Sequence, residues 1–168
     1  YLDFDHPHQK NIRKVFSIFT EDTISKKNYG IDGCSAPQYS FTIEKLGKAL
    51  SNLLNSYNGN FEYSENIQTM INAILDNPTF IGGSKNLDSN LIKISNRNIF
   101  CKGGAEGVFL FVHLKKEIFG ILKVKDGNER ALSSAMNALL KKFKILNREE
   151  LNQFNSWSKT NMYNLSLI

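Results

Sequence analysis

Three apolar segments in the second half of the chain constrain its fold more than any other feature. They read NIFCKG (98–103), GVFLFVHL (107–114) and EIFGILKVKDG (117–127), and they are rich in branched and aromatic residues. Lys115 and Lys116 separate the second segment from the third, and Asp126 with Gly127 ends the third. Polar residues and glycine between such segments are typical of tight turns. The pattern predicts an antiparallel meander of three strands.

Helical periodicity dominates the rest of the chain. Apolar residues recur at spacings of three and four, a pattern that predicts helices. The predicted helices cover residues 8–19, residues 42 (the cap) to about 56, residue 64 to a stop at Pro78, and a segment after Ala131. Weaker patterns predict a strand at 29–32, helices at 89–94 and 148–157, and an extended tail at 161–168. Helices, then a meander, then helices indicate an α+β fold with an antiparallel sheet flanked by helices. A length of 168 residues favours a single domain, 1–168.

Composition narrows the class of function. The net charge is +5, but the lysines are spread over turns and helix faces and there are only four arginines, so we expect no nucleic-acid partner. No apolar run is long enough to predict a membrane span. Two cysteines without a CxxC spacing favour a reduced, cytoplasmic protein. The opening YLDFDHPHQK has no initiator methionine and suggests a part of a longer protein.

The loop GIDGCSAP (30–37) places a carboxylate two residues before a thiol. Cys34 has the chemistry of a zinc ligand or a nucleophile, but it would need further donors or a nearby base. The alternative is structural, with Asp32 capping the turn and Cys34 acting as a small buried hydrophobe. The residues alone favour the structural reading.

The stretch CKGGAEG (101–107) interrupts the first strand of the meander with glycines. Bare backbone at a strand edge would let a substrate lie along it, while the Lys102 ammonium binds a carboxylate and Glu106 orients an amine. A bulged strand end with a solvated Lys102–Glu106 pair explains the same residues. Cys101, among apolar neighbours, is predicted to be core, and Trp157 a packing anchor.

Three stretches together carry a family resemblance. YLDFDHPHQ (1–9), GIDGCSAP (30–37) and KGGAEGV (102–108) followed by LKVKDGNERA (122–131) resemble, in that order, the asparaginase II family of thermolabile, rhizobial-type L-asparaginases. The resemblance implies a fold like that of serine β-lactamases and glutaminases. It also implies amidohydrolase chemistry, in which an S-x-x-K pair hydrolyses L-asparagine to L-aspartate and ammonia through an acyl-enzyme.

Site roles follow from the same resemblance by position. Cys34 would ligate zinc, Asp32 would support the site, and Lys102 would be the catalytic lysine of the pocket. Gly103, Gly104 and Glu106 would contact the substrate. Where the family often has a cysteine, this chain has Asp88. The assignment requires that the loop bearing Cys34 and the strand bearing Lys102 converge on one cleft.

Two motifs of the family are missing from their expected positions in this chain, and their absence predicts that the chain is a fragment. The resemblance implies that a C-S-G-K-H stretch supplies two further zinc ligands, a cysteine and a lysine. No S-x-x-K precedes the first helix and no C-S-G-K-H is present, so the chain resembles the C-terminal half of the family. We expect the nucleophile and the remaining zinc ligands in an N-terminal half that this chain lacks, and we expect this fragment alone to be inactive. A homodimer is left open. The alternative is a non-catalytic remnant of the same fold that binds amino acids or pairs with another subunit.

Overall fold

The computed structural model describes residues 1–163, with side chains through residue 159. The elements in chain order are α1 (Pro7–Thr20), β1 (Tyr29–Ile31), β2 (Pro37–Tyr39), α2 (Ile43–Tyr57), α3 (Ser64–Asp76), α4 (Thr79–Gly82), α5 (Leu87–Ile94), β3 (Ile99–Gly104), β4 (Val108–His113), β5 (Ile118–Lys123), α6 (Leu132–Lys142) and α7 (Arg148–Tyr163). Short 3-10 turns lie at Lys26–Asn28 and Glu129–Ala131. The predicted α+β class, with antiparallel sheets flanked by helices, is confirmed.

The contacts divide the chain into two compact units, Tyr1–Ser64 and Glu65–Ile168. In the first unit α1 packs against α2, and Phe19 of α1 is buried. The N-terminus of α2 forms where the sequence predicts it, because the Thr42 hydroxyl accepts a hydrogen bond from the Lys45 amide at 3.2 Å. The interpretation of the chain as a single domain stays a prediction.

The first unit also contains a two-stranded sheet, of which the sequence predicted β1 but not β2. β1 pairs with β2 in antiparallel register, with Tyr29 opposite Tyr39. The segment that became β2 contains a proline and small polar residues and was expected to be an irregular loop. It forms a strand because the turn at Asp32 returns the chain alongside β1, a pairing that local composition does not encode.

The second unit is built on the predicted meander. Its strand order is β3-β4-β5, and both pairs are antiparallel. Phe111 and Gly120 face each other on neighbouring strands. A Cβ atom at Gly120 would lie 2.6 Å from the Phe111 ring, so the glycine makes room for the buried aromatic side chain. The three-stranded meander is therefore confirmed.

Helices bury the apolar positions of this sheet. α5 packs against β3, α6 packs against β5, and α7 contacts both helices. Leu91, Ile92, Cys101, Met136 and Phe154 are all fully buried. The burial of Cys101 confirms the prediction that it belongs to the core.

Two predictions about the helices are corrected. α4 was not predicted, because four residues are too few for a periodic pattern. α7 continues to Tyr163, so the predicted extended tail is wrong at residues 161–163. The sequence after Trp157 has neither proline nor glycine to end a helix. The rest of that predicted tail, 164–168, lies outside the described residues. Within the described part, no helix is long and apolar enough to cross a membrane.

Candidate active site

A cleft of about 770 Å³ lies in the second unit. It is lined by the end of α4 and the start of α5, by β3, and by the 3-10 turn after β5. Three basic side chains line it, from Lys85, Lys102 and Arg130, together with the carboxylates of Asp88 and Glu129. The consecutive residues Lys102, Gly103 and Gly104 lie on its wall. Their roles toward a substrate stay predictions.

The glycines of β3 leave backbone without side chains at this wall. A Cβ atom at Gly103 would be 3.8 Å from its nearest neighbours, and one at Gly104 would be 3.6 Å from Val108. Both distances are ordinary van der Waals contacts, so local crowding does not require glycine at either position. Bare backbone here allows a ligand to approach the strand closely.

Asp88 is the carboxylate that faces Lys102. It lies in the first turn of α5, and its side chain is only 6% exposed. Its Oδ2 atom is 3.8 Å from the Lys102 ammonium and accepts a hydrogen bond from the Gly103 amide at 3.4 Å. Lys102 therefore pairs with Asp88, and the solvated Lys102–Glu106 pair considered from sequence is wrong. Sequence reasoning assigned Asp88 no role, because its contacts with Lys102 and Gly103 join residues far apart in the chain.

Gly82 fits against this carboxylate. A Cβ atom at Gly82 would lie 2.1 Å from the Asp88 Oδ1 atom, a distance at which one of the two must move. Since Asp88 is also bonded to β3, the end of α4, the start of α5 and β3 meet at one buried carboxylate. Glycine at 82 is therefore required by packing.

We predict that Gly82→Ala lowers the free energy of unfolding by about 1–3 kcal/mol, the usual cost of overpacking a well-filled site. Urea unfolding measures this change. Gly47→Ala is the matched control, because nothing lies within 4 Å of a Cβ atom at Gly47 in α2, and alanine is the better helix former. Equal stability of the Gly82→Ala and unmodified chains contradicts the packing argument.

Glu106 lies apart from the cleft lining. It occupies the turn between β3 and β4 with φ 61°, and its side chain is exposed. Its carboxylate approaches Gly127, where a Cβ atom would lie 2.6 Å from Oε2. Its backbone carbonyl accepts a hydrogen bond from the Lys123 ammonium. Among the described residues that line the cleft, Glu106 is absent, and its contact with a substrate stays a prediction.

Arg130 lies in the turn after β5 and lines the cleft. Asp126 accepts a hydrogen bond from the Asn128 amide at 3.0 Å and pairs with the Arg130 guanidinium. The Asn128 amide and then Arg130 hold the pKa of Asp126 below its ordinary value. Sequence reasoning treated this segment as a turn without function. The sequence feature that could have pointed to Arg130 is its position four residues after the turn residue Asp126.

The GIDGCSAP loop lies in the first unit. Asp32 accepts hydrogen bonds from the amides of Cys34 at 2.8 Å and Ala36 at 2.9 Å, and from the Gln38 side chain at 3.0 Å. The Ala36 amide is the main cause that lowers the pKa of Asp32. Asp32 caps the turn as considered from sequence, whereas Cys34 is exposed, so its reading as a buried hydrophobe is wrong. The convergence of Cys34 with Lys102 stays a prediction.

The described residues do not assemble a zinc site by themselves. No group of three or more His, Cys, Asp or Glu residues in this part of the chain could hold a metal ion. A structural or catalytic zinc needs three or four donors, so a single exposed thiol does not fit that requirement. The assignment of Cys34 as a zinc ligand stays a prediction.

The two cysteines differ in environment, and thiol titration should show it. Burial first, and then the negative charge of Asp88, raise the pKa of Cys101 well above its ordinary value. We predict that a disulfide reagent modifies one thiol of the folded chain quickly and the second only after unfolding. Cys34→Ser should abolish the fast reaction. A fast reaction that survives this substitution contradicts the assignment.

An S-x-x-K spacing in α7 escaped the sequence reasoning. It reads SWSK, from Ser156 to Lys159. Both terminal residues of this spacing are exposed on the helix, and Trp157 between them lines the cleft. Trp157 also contacts Phe154, with ring centroids 5.5 Å apart. It therefore packs against another side chain, as predicted, and also lies on the cleft wall.

Comparison with known proteins identifies the family. No curated protein matches the chain significantly. The family model described as L-asparaginase II matches residues 1–167. This match covers nearly the whole chain, including the GIDGCSAP loop, β3 and the turn that carries Arg130. The chain therefore belongs to the L-asparaginase II family.

Proposed function

We propose that this chain forms the substrate pocket of an amidohydrolase that converts L-asparagine to L-aspartate and ammonia. The observation that carries the proposal is the family match over residues 1–167. The cleft supports it, because Lys102 and Arg130 provide positive charge beside the bare backbone of β3. A small anionic or zwitterionic substrate suits such a site.

The proposed chemistry is acyl transfer at the side-chain amide. A serine activated by a lysine, in an S-x-x-K pair, attacks the carboxamide, ammonia leaves, and water hydrolyses the acyl-enzyme. We propose that a segment outside these 168 residues supplies this pair. Lys102 holds the substrate carboxylate at the mouth of the cleft, and the Gly103–Gly104 backbone lies alongside the substrate. Zinc binding, a cytoplasmic location and a homodimer stay predictions.

Two measurements test the proposal. Isothermal titration of the full chain with L-asparagine should show binding at one site. Ammonia release should appear when the chain is combined with a segment that carries S-x-x-K, and it should be absent with a Ser→Ala version of that segment. Neither binding nor ammonia release would overturn the proposal. Binding without turnover in any combination would instead support the non-catalytic amino-acid-binding alternative.

A further inference from the structure

The Asp88 carboxylate is buried but incompletely bonded. An ionised carboxylate offers about four acceptor positions on its two oxygens. The Ser89 amide donates to Oδ1 at 2.9 Å, and the Gly103 amide donates to Oδ2 at a long 3.4 Å. The side chain nevertheless is only 6% exposed, so water reaches little of it.

The ion pair with Lys102 leaves this charge only partly compensated. The separation between Lys102 Nζ and Asp88 Oδ2 is 3.8 Å, and the Lys102 side chain is 48% exposed. An ammonium that is half in water at this distance stabilises a buried anion weakly. Burying a carboxylate is costly unless hydrogen-bonded partners surround it. The cleft side of Asp88 can therefore accept a further cationic donor.

We propose that Asp88 binds the α-ammonium group of an amino-acid substrate while Lys102 binds its α-carboxylate. The inference rests on the function proposed above and names the group that selects the substrate. An α-amino acid carries its two opposite charges on one carbon, and Asp88 with Lys102 presents the complementary charges side by side. Without Asp88 a cleft bearing Lys85, Lys102 and Arg130 would accept simple carboxylates equally well.

Glu129 is the other carboxylate on the cleft wall, and its environment differs. Glu129 is exposed on the 3-10 turn, where water screens its charge and weakens any contact with a ligand. Asp88 is buried and held by two backbone amides, so its position is fixed before a ligand arrives. A fixed, poorly hydrated carboxylate such as Asp88 therefore favours a ligand with an ammonium group over one without it more strongly than the exposed Glu129 does.

Two ligands that differ only in the ammonium group test this inference. Succinamate is L-asparagine without its α-ammonium. By isothermal titration the unmodified chain should bind L-asparagine about 10-fold or more tightly than succinamate, the expected effect of a charge-assisted hydrogen bond. In amide NMR spectra the Ser89 and Gly103 signals should shift strongly with L-asparagine and weakly with succinamate, because both amides donate to Asp88.

A substitution at Asp88 tests whether this residue causes the preference for L-asparagine over succinamate. Asp88→Asn keeps the shape and removes the charge, and it should reduce the preference for L-asparagine to about 2-fold or less. Asp76→Asn is the matched control. Asp76 also pairs with a basic residue, Arg97, but the pair is exposed, so the preference should persist.

The outcomes separate this inference from the proposed function. Equal affinity of the unmodified chain for both ligands, or a preference that survives in Asp88→Asn, overturns the role of Asp88 and leaves L-asparagine binding intact. Failure of the unmodified chain to bind L-asparagine overturns the role of Asp88, and the absence of ammonia release as well overturns the proposed function. If circular dichroism shows that Asp88→Asn does not fold, the comparison of Ser89 and Gly103 shifts in the unmodified chain decides.

Discussion

Replacing Lys102 with alanine should lower kcat/KM for L-asparagine by about 100-fold in the active combination proposed above, the chain together with a segment that carries S-x-x-K. Loss of a charge-assisted contact with the substrate carboxylate, worth about 1.5–3 kcal/mol, corresponds to a roughly 10- to 100-fold lower kcat/KM. Lys102 lies on the cleft wall beside Gly103 and Gly104, and its ammonium pairs with Asp88, which also lines the cleft, while its backbone is fixed in β3. Steady-state ammonia release over a range of L-asparagine concentrations measures the effect.

The control for this substitution is Lys93→Ala. Lys93 is exposed in the last turn of α5 and does not line the cleft within the described residues. A sequence-based control at Lys116 would be unsuitable, because its ammonium donates to the carbonyls of Lys144 and Ile145. Equal and small effects of Lys102→Ala and Lys93→Ala would remove Lys102 from the proposed mechanism.

Replacing Phe154 with alanine should lower the free energy of unfolding by about 3–5 kcal/mol, the usual cost of deleting a buried phenylalanine. Phe154 is fully buried in α7, where that helix contacts α5 and α6. A loss of this size is a large part of the stability of an ordinary domain. Urea unfolding followed by circular dichroism measures it.

Phe80→Ala provides the comparison for Phe154. Phe80 is 90% exposed, so its removal should change the free energy of unfolding by less than about 0.5 kcal/mol. Both variants remove the same aromatic ring, and burial alone separates them. A loss from Phe154→Ala as small as that expected for Phe80→Ala would show that the core of the second unit does not depend on Phe154.

The sequence predicted the parts of the fold that depend on local pattern. Branched and aromatic runs bounded by Lys115 with Lys116 and by Asp126 with Gly127 gave β3, β4 and β5, because such residues favour pleated strands and such turns favour hairpins. The Thr42 cap of α2 was predicted for the same local reason. Burial of Cys101 followed from its apolar neighbours.

Features that depend on distant pairing were not predictable from the chain alone. β2 forms only because it pairs with β1, and its own composition indicates a loop. Asp88 is important because β3 and α4 pack against it, through contacts with Gly103 and Gly82. The family resemblance pointed to Lys102 and its glycines, but it gave no partner for the lysine.

The close fit of Gly82 to Asp88 ties the evolution of these two positions together. Alanine at 88 has no γ atom and would clear the space that a Cβ atom at 82 needs, whereas serine or cysteine would keep an atom near the Asp88 Cγ position, 2.8 Å from that Cβ atom. Homologous chains with alanine at the position of Asp88 should therefore tolerate alanine at the position of Gly82. A double replacement of 82 and 88 should recover stability that the single change at 82 loses, giving protein engineers a paired route to a remodelled pocket.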